Sequence, residues 1–206
     1  MAKPPRPYSR PFPLIQALEA GKWAKAEEML RKMIKTQQPH PEMLLDFGRV
    51  LNKLGKHEEA VKTLKRAAKK VIGIPAIHFE TGLAAMQARM WTDARDAFRQ
   101  ALSLAPGQPA IEINLGTVYM ELGEAAQAAK LFADAAARPG LAADQSLYAR
   151  TLLIEALRDS GDIDAMREQA AALGKDEPKA RGAILNILSK GMSGRVPLAA
   201  ASIFND

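Results

Sequence analysis

Apolar residues recur every three or four positions along most of the chain, as they do on one face of an α-helix. After Pro41 they stand at Leu44, Phe47, Val50, Leu51 and Leu54. Proline suits the first turn of a helix, where its missing N–H is not needed. Glycine suits the position after a helix, where the backbone turns left-handed, so Gly55 ends this one. The pattern predicts one helix from Pro41 to Gly55 and a second from about His57 to Lys70.

This arrangement repeats with a period of 34 residues. The period links four sets of residues: Pro41, Pro75 and Pro109; Gly48, Gly82 and Gly116; Ala60, Ala94 and Ala128; and Leu64, Phe98 and Phe132. The small residues let two helices approach closely, and the bulky ones fill the interior between them. A fixed period of this length is typical of stacked helical hairpins, which usually serve as binding surfaces and seldom as catalysts.

These residues closely resemble the tetratricopeptide repeat. The resemblance implies an all-α fold, specifically a right-handed α-solenoid of about five tetratricopeptide-like helical hairpins with a C-terminal capping helix. Gly21, Trp23 and Ala26 continue the pattern upstream, where Pro11 and Pro13 shorten the first helix. Degenerate repeats are expected at both ends, because terminal repeats must face water.

The phase of the repeat divides the chain into an array and its extensions. We expect a proline-rich N-terminal extension over 1–12, the repeat array over 13–176, a capping helix over 177–190 and a C-terminal tail over 191–206. Within the array, the core repeats are 41–74, 75–108 and 109–142, and the degenerate flanking repeats are 13–40 and 143–176. The cap is expected to present Ala180, Ile184, Leu185 and Leu188 on one face.

One turn breaks the pattern. Arg89 stands between two helices where the neighbouring repeats have Gly55 and Gly123. A residue with a side chain is disfavoured at positive φ, so we expect slight strain at Arg89 if the turn keeps that conformation.

No group of residues indicates catalysis, a cofactor or a metal. The three histidines, His40, His57 and His78, fall in different repeats, and cysteine is absent. Asp159, Asp162 and Asp164 do not have the spacing of a calcium loop, and Asp162 is better placed as a helix cap. We therefore expect no enzyme, no cofactor and no metal site.

The positive charge is concentrated in the first third of the chain. Residues 1–70 hold 16 Lys and Arg against 7 Asp and Glu, although the net charge of the whole chain is +6. One helix carries Lys62, Lys65, Arg66, Lys69 and Lys70. These side chains form either a patch for an acidic partner, nucleic acid or anionic lipid, or a solvated helix face. We favour the solvated face and expect no nucleic-acid partner, because neither aromatic residues nor glycines alternate with the basic ones.

The resemblance also implies where a ligand binds, since in this family the first helix of each repeat lines a concave, peptide-binding groove. Transferring each position by its phase gives the groove residues Leu45, Arg49, Asn52, Phe79, Leu83, Met86, Ile113, Thr117, Met120, Tyr148 and Glu155. The centre of this set is apolar and its rims are polar, which argues against the Lys, Asn and Arg clamp of the chaperone-tail binders. It suits an amphipathic helix or an extended apolar segment.

Two sources of such a segment remain open. It comes from a partner protein, or from the chain itself through the proline-rich N-terminus or the segment Val196–Phe204. Self-association through exchanged tails is compatible with both.

The expected function is that of a non-enzymatic interaction scaffold or adaptor for a protein or peptide segment with apolar anchors. Two alternatives remain: a chaperone for a secreted or assembling protein, and the docking or regulatory domain of a larger enzyme. The first residues lack the apolar core of a signal peptide and no stretch approaches the roughly 20 apolar residues of a membrane span. We therefore expect a cytoplasmic location and no insertion into membranes.

Overall fold

The computed structural model of this chain describes residues 8–36, 39–190 and 202–204. These residues form eleven α-helices and two short 3₁₀ turns, and no strand occurs among them. The all-α fold predicted from the 34-residue period is confirmed. Residue-to-residue contacts divide the chain into two compact units, Met1–Pro106 and Gly107–Asp206.

The first unit consists of three helical hairpins. Its helices are α1 (Phe12–Glu19), α2 (Trp23–Thr36), α3 (Pro41–Lys53), α4 (His57–Ala68), α5 (Pro75–Gln87) and α6 (Trp91–Leu104). As the sequence predicts, α1 is short: it follows Pro11 and has a proline in its first turn.

The second unit consists of two hairpins and a final helix. Its helices are α7 (Pro109–Glu121), α8 (Ala125–Ala136), α9 (Ala143–Ser160), α10 (Ile163–Asp176) and α11 (Arg181–Ser189), with 3₁₀ turns at Pro178–Ala180 and Ser202–Phe204. The Asp162 side chain accepts a hydrogen bond of 3.2 Å from the Ala165 amide, so Asp162 caps α10 as predicted.

The interior of each core hairpin contains one bulky side chain facing one glycine. Leu64, Phe98 and Phe132 are completely buried. Each lies against the glycine of the same repeat, respectively Gly48, Gly82 and Gly116, so closely that a Cβ atom on the glycine would overlap it. The two helices of each hairpin are therefore held at a separation that depends on the missing side chain.

The turns between paired helices use left-handed backbone. Gly55 and Gly123 both have φ of 75°, and Arg89 has φ of 54° at the equivalent position. Arg89 is the only residue other than glycine with positive φ among those described. Arg89 therefore keeps the left-handed conformation from which the sequence predicts strain.

An apolar cluster closes the end of the second unit. Ile184 and Leu188 of α11 are buried against Ile154 of α9 and Leu173 of α10. Leu185, which we expected on the same face, is half-buried and lies outside the cluster. Ile187 packs against the cluster instead.

The last described residues also reach this cluster. Ile203 and Phe204 pack against it. The Phe204 ring touches the position that a Cβ atom of Gly174 would occupy, and the Arg181 guanidinium lies 5.4 Å from the ring centroid. Of the segment Val196–Phe204, residues 196–201 lie outside the described residues, and Phe204 lies on α10, the second helix of its hairpin.

Candidate functional site

Two acidic residues occupy the same phase of successive repeats on the first helices of the first unit. Asp46 of α3 is almost fully buried and accepts two hydrogen bonds of 2.7 Å from the Arg10 guanidinium. Glu80 of α5 accepts one of 2.7 Å from Nε of Arg49. Each carboxylate is thus neutralised by an arginine from an earlier part of the chain.

The residues before α1 contact α3. The Tyr8 hydroxyl donates to Oδ2 of Asp46 at 3.1 Å, and the Tyr8 ring stacks on His40 with centroids 6.1 Å apart. Burial raises the pKa of the Tyr8 phenol, and the neighbouring Asp46 carboxylate raises it further. The neutral phenol therefore persists as a donor, and it fixes this part of the N-terminal extension on α3. Residues 1–7 lie outside the described residues.

A cavity of about 360 Å³ opens beside these ion pairs. We call it the first-unit groove, defined by its lining residues Arg10, Leu18, Trp23, Asp46, Arg49, Val50, Asn52, Lys53, Glu80 and Leu83. Leu18, Trp23 and Leu83 give it an apolar part, and the charged side chains surround that part. The exposed Lys53 has no ion-pair partner among the residues that the structure describes.

The structure places the predicted groove residues of the first unit in three different environments. Arg49, Asn52 and Leu83 line the first-unit groove together. Leu45 is only 7% exposed, so it belongs to the core and offers little surface to a ligand. Phe79 and Met86 are half-buried, and the Phe79 ring packs edge-on against Phe98 with centroids 5.8 Å apart.

The predicted groove residues of the second unit also lie in different environments. Ile113 and Met120 are half-buried against the core formed by α8 and α9. The Thr117 hydroxyl donates to the Ile113 carbonyl of its own helix at 2.9 Å. Tyr148 is 54% exposed, whereas Glu155 accepts a hydrogen bond of 2.6 Å from Nζ of Lys190.

Sequence reasoning missed several residues of the first-unit groove: Arg10, Leu18, Trp23, Asp46 and Glu80. The sequence contained one signal for two of them: Asp46 and Glu80 are both acidic and lie 34 residues apart, at the same position of successive repeats. The other contacts join residues that are distant in sequence, and the period carries no information about them.

The described residues contain no group of three or more His, Cys, Asp or Glu side chains that could hold a metal ion. Among the described helices, none has both the length and the apolar character needed to span a bilayer.

Comparison with protein families decides the class of this chain. Two family models, both described as tetratricopeptide repeat, match residues 45–109 and residues 17–71 and 85–139. The chain belongs to the tetratricopeptide repeat family. Repeats of this family mediate protein–protein interaction, so a surface that binds protein is the expected kind of site. Comparison with curated proteins gives no match to this sequence.

Solved structures of tetratricopeptide repeat proteins share the fold. A MamA structure is 22% identical, covers 84% of this chain and 99% of its own, and has a TM-score of 0.72. YrrB, a tetratricopeptide repeat protein with an unusual peptide-binding site, is 20% identical, with 88% and 95% coverage and a TM-score of 0.66. A tetratricopeptide repeat protein from Parabacteroides merdae is 14% identical, with 92% and 74% coverage and a TM-score of 0.70.

Proposed function

We propose that this chain is a non-enzymatic adaptor that binds a segment of a partner protein in the first-unit groove. The observation that carries the proposal is the composition of that cavity. Leu18, Trp23 and Leu83 supply apolar contact for one or two side chains. Polar groups beside an apolar surface fix the orientation of a ligand, as in most binding sites.

The charges of the groove favour a particular kind of segment. Asp46 and Glu80 are already paired with Arg10 and Arg49, so they have little attraction left for a basic ligand. Lys53 is exposed and unpaired among the described residues. A segment with an apolar anchor followed by an acidic side chain would meet both Leu83 and Lys53. We place this adaptor in the cytoplasm, in keeping with its cysteine-free sequence.

Peptide selection tests the proposal. A random peptide library displayed on phage would be selected on the full chain, and the affinity of selected peptides measured by fluorescence anisotropy. Leu83→Glu should weaken binding at least about a hundredfold, because a charge buried against an apolar ligand costs several kcal/mol. Lys53→Glu should weaken it about tenfold for acidic peptides, the scale of one lost charge-assisted hydrogen bond.

Ile163→Glu is the matched control, because Ile163 is 42% exposed at the start of α10 in the second unit. It should leave the affinity unchanged. Peptides that bind all four proteins equally would place the ligand site outside the first-unit groove.

A further inference from the structure

Five basic residues of α4 and of the two positions after it lie on one face of the helical segment. Lys62, Lys65, Arg66, Lys69 and Lys70 follow the spacing i, i+3, i+4, i+7 and i+8, which describes a single stripe. Helical backbone continues through Lys69, and the Lys70 amide still donates to the Ala67 carbonyl at 2.9 Å. All five side chains are exposed. We call this set the basic stripe.

Most of the basic stripe is not neutralised. Lys65 pairs with Asp93 at 2.7 Å. The other four side chains have no ion-pair partner among the described residues. Cations in the last turn of a helix complement its dipole, but Lys62 lies a full turn earlier and Lys70 beyond the helix end. The dipole therefore accounts for only part of the stripe.

An apolar side chain projects where the basic stripe ends. Ile72, in the loop between α4 and α5, is 93% exposed, the most exposed of the large hydrophobic side chains that the structure describes. Its neighbour Gly73 has φ of 92°, and a Cβ atom there would meet nothing within 4 Å. The loop thus holds one isoleucine in open solvent, two residues after Lys70.

We propose that the basic stripe and Ile72 form a surface that docks on an anionic membrane. Clustered basic residues are attracted to anionic lipid headgroups, and a projecting apolar side chain can enter the interface between headgroups and acyl chains. The surface has four lysines and one arginine, and it lacks the aromatic residues on which nucleic-acid bases stack. A protein partner would need a larger apolar patch than one isoleucine. A fluid, negatively charged surface requires no such fit.

Vesicle sedimentation tests this surface on the full chain. The probes are phosphatidylcholine vesicles containing phosphatidylserine, and vesicles of phosphatidylcholine alone. We expect binding only to the former, weakening as salt rises. The triple variant Lys62→Glu, Lys69→Glu, Lys70→Glu should lower the partition coefficient at least about a hundredfold, since each cation contributes about fivefold. Ile72→Ser should lower it about threefold to tenfold.

The controls separate local from overall charge. The control triple variant changes the net charge by the same amount, but at exposed lysines of the second unit: Lys130→Glu, Lys175→Glu, Lys179→Glu. The control Ile163→Ser removes another exposed isoleucine. Both controls should bind as the wild type does, with unchanged circular dichroism spectra in every variant. The proposal would be overturned if the protein did not bind phosphatidylserine vesicles at low salt, or if the control triple variant lost as much vesicle binding as the basic-stripe variant. It would also be overturned if Ile72→Ser bound vesicles as the wild type does while a double-stranded oligonucleotide displaced the protein from them.

Discussion

A Cβ atom placed on Gly82 would lie 2.6 Å from the ring of Phe98, closer than two carbon atoms that are not bonded to each other can approach. Phe98 is completely buried, so the ring can move away only by displacing the core residues around it. Gly116 has the same relationship to Phe132, at 2.5 Å. In these hairpins the glycine is required by the packing of the facing ring.

Gly82→Ala should therefore destabilise the protein, although alanine favours helices. We expect a loss of about 1–3 kcal/mol, the usual cost of overpacking a core. Gly182→Ala is the control, because Gly182 is also helical but has nothing within 4 Å of its Cβ position. That substitution should stabilise by about 0.5–1 kcal/mol. Urea unfolding of both variants measures the difference, and equal effects would mean that the ring does not limit the approach of α5 to α6.

The left-handed turn at Arg89 should be improved by glycine. Arg89 has φ of 54°, a conformation that costs residues with a side chain roughly 1–2 kcal/mol. Part of the gain is offset by the greater freedom of glycine in the unfolded chain. Arg89→Gly should raise the free energy of unfolding by about 0.5–1 kcal/mol. The reverse change at the equivalent turn, Gly55→Arg, should lower it by about 1 kcal/mol. A destabilised Arg89→Gly variant would show that contacts of the arginine side chain stabilise the protein by more than the left-handed backbone conformation costs.

Glu27 should make stability depend on pH in the acid range. Its carboxylate accepts hydrogen bonds from Nζ of Lys56 at 2.6 Å and from the Arg31 guanidinium at 2.8 Å. The bond from Lys56 is the largest cause that holds the pKa of Glu27 below its ordinary value of 4.5, and the bond from Arg31 acts in the same direction.

Because the folded state lowers this pKa, the stabilisation is complete above about pH 4.5 and is lost as the pH falls through the folded-state pKa. Glu27→Gln should cost about 1–2 kcal/mol at neutral pH. When the pH is lowered from neutral to the folded-state pKa of Glu27, the melting temperature of the Glu27→Gln variant should fall less than that of the wild type. Parallel curves for the two proteins would exclude Glu27 as the titrating group.

The final helix should keep the second unit from associating. Deleting residues from Pro178 onward removes Ile184 and Leu188 and uncovers Ile154 and Leu173, which are buried beneath them. An apolar surface of this kind promotes association. Light scattering after size exclusion should therefore find the truncated protein in oligomers or aggregates. A monomer with an unchanged melting temperature would show that α11 does not act as a cap.

The period predicted the local structure well because it records which residues recur on one helix face. It identified Pro41 and Pro75 as helix starts, Phe98 as a core residue and Arg89 as the residue in a left-handed turn. It could not predict how far neighbouring helices cover a helix face. For that reason it assigned Leu45 to the groove, whereas the structure buries this side chain. It also could not pair Arg10 with Asp46, because that contact joins an irregular segment to a helix of the next hairpin.

The most direct test of the account is to map a bound peptide on the protein. Amide and indole resonances of the isotope-labelled chain would be followed by NMR while a selected peptide is added. We predict that the largest chemical-shift changes fall on the indole of Trp23 and on the amides of Arg49, Lys53 and Leu83, which line the first-unit groove. Changes confined to the second unit, or to α4, with an unshifted Trp23 indole, would contradict the assignment of the first-unit groove as the binding site.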